Sequence, residues 1–549
     1  MALSARVGGH PLSLRLLGGA FNETHTPLAA FVADFEAQLD RAENKYVQAS
    51  HRQLTLQTSI NTSVSALSDD HRALLSSVWI FQGPFIPASL AGAIHGEPSE
   101  AQSGEIAASL HHLWQQSLVE RVVYGDGAIM YRIHPVLRQY FRRHLPQSLD
   151  QATLDQNLAR ALARLACWLY DTEDPTWATY ASECRADFDR AVELLPEDER
   201  AAYIKHWGGL CFLQDDYERA GALFESALAW AKKHDKDVYI TLLDNLAAVK
   251  AVIGTVEEAI TLYKQELALV RKNEDRFAEA MTLQNLAECY QTLEKHTQAR
   301  TNYARALKLF REEEHRPKEA DVLRALGLVY QSTDQFQKAS DAYQAALAIY
   351  ELQEDGASTM ATLNDIGELY LKLGSWDLAL ASFQRAMPLF EAAGAAEGLA
   401  AALIGLAQVA IAQEKYAESL AYHQRVLVIH QEAGSLTGQA DAHTAIAACH
   451  MSLEQIQQAY AALNAAGPLY EAAGDHASVA ATLRKVAAIL TRANDNYAVG
   501  AQLLARSVSY LEAGELDADS DGVSLDDMRA LQTQAAQQVE AAGGTLAAD

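Results

Sequence analysis

The feature that most limits how this chain can fold is a repeat with a period of 40 residues. Ala247, Ala287, Gly327, Gly367, Ala407, Ala447 and Ala487 form a ladder of small residues at that spacing. Each follows an apolar one: Leu246, Leu286, Leu326, Ile366, Leu406, Ile446 and Val486. A second ladder runs Ala259, Ala299, Ala339, Ala379, Ser419 and Ala459, with Tyr263, Tyr303, Tyr343, Phe383, His423 and Leu463 one helical turn later. A period of this length implies a stacked array, because one two-helix unit cannot bury its own apolar face and needs a neighbour on each side. The first ladder is expected where two helices approach backbone to backbone. The second is expected as a small-then-bulky pair that plugs into the next unit.

Within a unit the apolar residues follow helical spacing. From Arg316 to Gln353, Val322, Leu323, Leu326, Val329 and Tyr330 mark one helix face, and Tyr343, Ala346, Leu347 and Tyr350 mark the next. Turns are expected at Gly254-Thr255, Thr333-Asp334, Gly374-Ser375 and Gly394, where flexible or capping residues end helices. The pattern resembles the tetratricopeptide repeat (TPR), in a long-repeat variant. The fold class expected is therefore mainly α, a TPR-like α-solenoid of about 7–8 two-helix repeats with an N-terminal helical and winged-helix segment. Trp207, Gly208, Tyr217, Ala220, Phe224 and Ala227 suggest a further, divergent unit, and Trp168 and Trp177 are expected to anchor the core before it.

Composition narrows the function. Lys+Arg 44 against Asp+Glu 71 leaves a net charge of -27, which repels a phosphate backbone and makes nucleic acid a poor partner. Cys167, Cys184, Cys211, Cys289 and Cys449 are scattered without CxxC spacing, so neither a disulfide framework nor a zinc site is expected. The apolar run Leu12–Phe21 is broken by Arg15 and by Gly18 and Gly19, so no membrane partner is expected and the location expected is cytoplasmic.

The first 150 residues read differently. Ser68-Asp69-Asp70 signals a helix start, and two β-prone runs, Leu118–Tyr124 and Ile129–Ile133, flank Gly125-Asp126-Gly127 as a hairpin would. Gly9-His10-Pro11-Leu12 and Ile133-His134-Pro135 then carry a second resemblance. The N-terminal third is similar to the end of the nucleotide-binding (NB-ARC) module and the winged helix of STAND signalling ATPases, the group containing apoptosome and plant resistance proteins. That resemblance implies an adenine contact at Pro11 and a phosphate contact at His134. Two departures count against carrying it over: residue 135 is Pro where the family has Asp, and no GxxxxGK[ST] is present. A glycine loop with inward amides and a lysine is what phosphate binding needs. The chain is therefore not expected to be an enzyme, and no cofactor is expected unless a nucleotide-binding core lies upstream. A helix-start proline and a hydrogen-bonded histidine are the plainer readings of the two residues. The domains expected are 1–62 as the helical end of the module, 63–150 as the winged helix, 151–236 as linking helices and a divergent repeat, 237–512 as repeats, and 513–549 as an acidic loop with a final helix.

No catalytic residues stand out, and no metal ligands beyond one weak pattern. Asp517, Asp519 and Asp521 begin like a calcium loop, but the twelfth position is Met528, so an acidic connecting loop is the stronger reading. Arg138, Arg142 and Arg143 on the helix after the hairpin allow a DNA-binding alternative. The TPR resemblance places Asp244, Gln284, Glu288, Gln291, Arg324, Gln331, Asn364 and Glu368 on the concave face, followed by Ile404, Ile411 and Met451. A groove that turns from polar to apolar suits a protein or peptide partner. The function expected is the sensor region of a STAND-type regulator, the alternatives being a stand-alone TPR scaffold or a winged-helix DNA-binding regulator.

Overall fold

Helices begin at Lys236, Val256, Arg276, His296, Arg316, Phe336, Gly356, Trp376, Ala396, Tyr416, Leu436, Ile456 and His476, so each 40-residue period holds two helices of nearly equal length. The computed structural model describes residues 11–24, 27–45, 51–145, 149–172, 176–494 and 497–541. These residues hold 27 helices and one two-stranded sheet. The chain forms two units, Met1–Asp275 and Arg276–Asp549, so the expected repeat stretch is shared between them. Among the described residues no helix is long and apolar enough to cross a membrane.

In the first unit, α1 (Pro11–Thr24) and α2 (Leu28–Lys45) pack on α3 (His51–Ser65). α4 (Asp69–Val78) starts where the sequence signals it, with Ser68 Oγ accepting from His71 N at 3.3 Å. α5 (Pro87–His95) and α6 (Glu100–Gln115) follow, α6 opening with a capping box between Ser99 and Gln102. The expected hairpin is present as β1 (Glu120–Val123) and β2 (Ile129–Arg132), antiparallel with Glu120 opposite Arg132. Phe85 bridges to Tyr131 on the far side of β2. α7 (Pro135–His144) comes next.

α8 (Gln151–Asp171), α9 (Trp177–Glu183) and α10 (Arg185–Leu194) lead into the first two-helix pair, α11 (Glu197–Leu213) and α12 (Tyr217–His234), followed by α13 (Lys236–Val252) and α14 (Val256–Lys272). Here one expectation fails. Trp168 is 48% exposed, because the buried stripe of α8 runs Leu154, Leu158, Leu162, Leu165 and Leu169 and leaves position 168 on the outer face. The buried anchor is instead Trp207 against Phe188, ring centroids 4.8 Å apart, with Trp177 half-buried beside that core. Asp187 on α10 ties this region to the loop after α4 by accepting from Gln82 N at 2.9 Å and Gly83 N at 3.2 Å. Burial pushes its carboxyl up, opposed by those amides and by Arg190 and Arg138.

The second unit runs α15 (Arg276–Thr292), α16 (His296–Glu312), α17 (Arg316–Ser332), α18 (Phe336–Leu352), α19 (Gly356–Lys372), α20 (Trp376–Ala393), α21 (Ala396–Ala412), α22 (Tyr416–Glu432), α23 (Leu436–Ser452), α24 (Ile456–Ala473), α25 (His476–Asn494), α26 (Tyr497–Ala513) and α27 (Leu525–Ala541). Within this run each pair of consecutive helices packs together, from α15 with α16 to α26 with α27, the nearest-neighbour pattern of an α-solenoid.

The ladder of small residues does a different job from the one expected. What lies nearest Gly327 and Gly367 is an aromatic ring. A β-carbon at Gly327 would overlap the ring of Tyr343, and one at Gly367 would lie 2.6 Å from the ring of Phe383, each ring belonging to the second helix of the same unit. Phe383 also fills the space at Gly405 in the following unit, so the ring locks its own hairpin and reaches the next. In the first unit Gly208 meets Phe224 in the same way and at the same spacing, which makes α11 and α12 a hairpin of this kind.

Candidate functional site

Within the second unit the first helices of successive hairpins approach one another, α17 with α19 and α19 with α21, and no pair of second helices among the described residues comes as close. Helices that crowd together occupy the shorter, inner side of a stack. The expected groove residues of this unit sit on first helices, Arg324, Gln331, Asn364, Glu368, Ile404 and Ile411 on the crowded three and Gln284, Glu288, Gln291 and Met451 on α15 and α23 to either side, but they are not equivalent. Glu288 and Glu368 are exposed and accept from Gln284 Nε2 and Asn364 Nδ2, each at 3.0 Å on the same helix. Although Glu368 reaches solvent, the helices crowded around its carboxyl partly desolvate it and, with repulsion from Asp365, push it up. Ile411 and Met451 are exposed, whereas Ile404 is half-buried against the apolar core.

Three of the expected residues are committed inside the stack. Arg324 bridges two hairpins through Nε to Asp365 Oδ2 at 2.6 Å. Gln331 is buried, and its carboxamide oxygen accepts from Tyr343 OH at 2.9 Å. Gln291 is half-buried and does the same for Tyr303 at 3.1 Å. This corrects the reading of both glutamines as open groove contacts. Where the ring has no hydroxyl, as at Phe383, His423 and Leu463, the matching residues are Leu371, Ile411 and Met451. In the units of Tyr303 and Tyr343 the polar residue at this register thus serves the unit's own phenol, because a buried phenol without a partner is costly, although Ala251 stands at the same register before Tyr263. Asp244 lies in the first unit, near enough to Tyr170 to help push that phenol up, after burial.

In the first unit a cavity of about 310 Å³ is lined by Leu12, Arg15, Trp114, Arg121, Arg132 and His134 together with residues of the hairpin. Pro11 begins α1, and its side chain lies outside the described residues, as do Gly9 and His10. His134 is the N-cap of α7, its Nδ1 accepting from Val136 N at 3.3 Å. The structure therefore brings His134 beside residues of the helix that Pro11 starts. Two arginines after the hairpin are engaged: Arg138 Nη2 donates to Gln82 O at 2.8 Å, and Arg142 lies over the Trp79 ring at 5.0 Å.

The acidic loop between α26 and α27 has its own cations. Asp519 Oδ2 accepts from Arg484 Nε at 2.8 Å, and its other oxygen accepts from Asp521 N and Val523 N. Asp521 pairs with Arg484 and, at 3.0 Å, with Lys485. Ser524 caps α27, its Oγ accepting from Asp527 N at 3.1 Å and donating to Asp527 Oδ2 at 2.7 Å. Asp519 and Asp521, which the calcium reading required along with Asp517, are thus held by cations of α25.

The tetratricopeptide repeat family model matches residues 237–312, 276–351 and 358–432. These are tetratricopeptide repeats. No curated protein matches the sequence. A signal transduction ATPase with numerous domains (STAND) with a tetratricopeptide repeat sensor, from Pyrococcus horikoshii, has a similar structure over 91% of this chain and 74% of its own, with a TM-score of 0.58 at 13% identity. The apo quorum sensor NprR from B. thuringiensis aligns over 64% of this chain and 97% of its own, with a TM-score of 0.45 at 14% identity. Aspartyl phosphate phosphatase F from Bacillus subtilis aligns over 67% and 96%, with a TM-score of 0.40 at 14% identity. At such identities the likeness is one of fold.

Proposed function

We propose that this chain is the sensing part of a STAND-type regulator and that its tetratricopeptide repeats take a protein or peptide on the inner helices of the second unit. The observation that carries this reading is the crowding of α17, α19 and α21, which puts these first helices on the inner side of the stack with exposed Glu368 and Ile411 on them. Glu288 on α15 and Met451 on α23 are the matching exposed residues of the first helices on either side. Carboxylates at one end and apolar side chains at the other favour a segment with basic residues followed by apolar ones. The fold shared with a repeat-sensor STAND protein supports the same reading.

In this reading residues 63–150 act as a winged helix and residues 1–62 as the helical end of a nucleotide-binding module. Helix, bridge, two helices and hairpin occur in the order that domain would need. Arg15 and His134 beside the cavity would suit a phosphate, whereas Arg132 is paired with Glu120 at 3.0 Å and Arg121 lies over the Trp114 ring at 5.6 Å. The sequence supplies no glycine loop with a lysine, so the residues present fit only the anionic end of a nucleotide. A ligand on the repeats would act by favouring one packing of the repeats over another. The DNA-binding alternative is weakened because Arg138 and Arg142 are spent on Gln82 and Trp79.

The test is selection of binders from a displayed random-peptide library by the purified chain. Enriched peptides should carry Lys or Arg beside apolar residues. Glu288→Lys combined with Glu368→Lys should weaken their binding by more than about tenfold, while Lys308→Glu on a second helix should change it less than about twofold. Equal binding by the double variant would remove the inner helices as the binding surface.

A further inference from the structure

On α8, Cys167 and Asp171 lie one turn apart on the same face, and α11, packed beside it, contributes His206. The thiol sulfur, a carboxylate oxygen and an imidazole nitrogen all lie within 4.8 Å of one another, and Cys167 Sγ is already 3.5 Å from Asp171 Oδ2. His206 is not loosely placed. The ring of Tyr170 meets it edge to face, centroids 5.8 Å apart at 69°, and that ring occupies the space a side chain at Gly209 would need.

We propose that Cys167, Asp171 and His206 form a zinc site that joins α8 to α11, with a water molecule as the fourth ligand. One sulfur, one nitrogen and one oxygen donor match the borderline softness of Zn²⁺, whereas calcium and magnesium take oxygen donors throughout. Bond lengths of about 2.0–2.3 Å in a tetrahedron require the donors to close to roughly 3–4 Å. Asp171 is exposed and Cys167 half-buried, so that closure is asked of the two side chains on α8. As the S–Zn bond forms, the thiol proton passes to solvent. Cys184, Cys211, Cys289 and Cys449 are buried away from this group and serve as internal controls.

Cobalt(II) titration of the reduced full chain tests the site, because a thiolate on Co²⁺ gives a near-ultraviolet charge-transfer band and four-coordination gives strong visible bands. The expected result is saturation at one equivalent, reversal by Zn²⁺, loss of the charge-transfer band in Cys167→Ser, and at least about tenfold weaker binding in His206→Gln and Asp171→Asn. Circular dichroism establishes that each variant is folded. Asp171→Asn, at an exposed position, carries the test if Cys167→Ser is not folded. Zn²⁺ should also raise the melting temperature of the parent chain but not of the variants. No charge-transfer band in the parent chain, or an unchanged band and affinity in the folded variants, overturns the proposal.

Discussion

At the scale of single residues, the stack depends on a pairing between a missing side chain and a ring. Gly327 leaves the volume that Tyr343 fills, and the Tyr343 hydroxyl is anchored on buried Gln331. Gly327→Ala should therefore force the ring aside and cost about 1–3 kcal/mol by overpacking. Gly356→Ala should be neutral or stabilising by less than about 1 kcal/mol, because nothing lies near its added methyl and, at the first position of α19 without a positive φ, alanine mainly restricts the unfolded chain. Urea unfolding followed by circular dichroism compares the two, and equal midpoints would contradict the packing described. The ladder of small residues was visible in the sequence, but its partner was not. Periodicity reveals that a position must be small, while the atom that demands it belongs to another helix.

At the scale of elements, helices in the repeats end on a residue with positive φ. Gly254, Gly374, Gly394, Gly434 and Gly474 hold that place in some turns, and Glu274, Glu294, Glu314, Asp334, Glu354, Glu414 and Glu454 hold it in others. The next amide then closes the helix end, as Asp355 N does to Tyr350 O at 3.0 Å. A side chain in this left-handed region costs roughly 1–2 kcal/mol relative to glycine. Glu354→Gly is accordingly expected to stabilise its hairpin by about 1 kcal/mol, and Gly394→Ala to destabilise by a similar amount, read as opposite shifts of the urea midpoint. Turns with glycine were easy to anticipate. Those ending on glutamate gave no such signal, because local propensity argues against them and packing of the flanking helices overrides it.

At the scale of the whole molecule, buried phenols set a limit on alkaline stability. Burial pushes Tyr303, Tyr343, Tyr350 and Tyr470 well above their ordinary value of 10.0, helped by the nearby carboxylates Glu288, Asp365, Asp321 and Asp441 respectively. The folded state thus holds these protons more tightly than the unfolded chain. Their contribution is intact below about pH 10 and is lost progressively above it, as the unfolded state ionises first. Phenolate absorbance should rise in two steps. Exposed tyrosines should titrate reversibly near pH 10, and the buried set should ionise only together with loss of the helical circular dichroism signal. Full ionisation with helicity intact would show these rings to be solvated.

The sequence alone determined the repeat period, the all-helical class of the array, the hairpin between Glu120 and Arg132 and several turns, because these depend on contacts between residues near in the chain or on a pattern repeated many times. Only the tertiary structure decided that Gln291 and Gln331 serve their own unit's tyrosines, that Arg324 reaches Asp365, that Trp168 faces outward, and that Cys167 and Asp171 meet His206. In each of these cases what a side chain does is set by which neighbour its helix packs on and at what rotation, and a pattern of apolar residues constrains that rotation only for the face it buries.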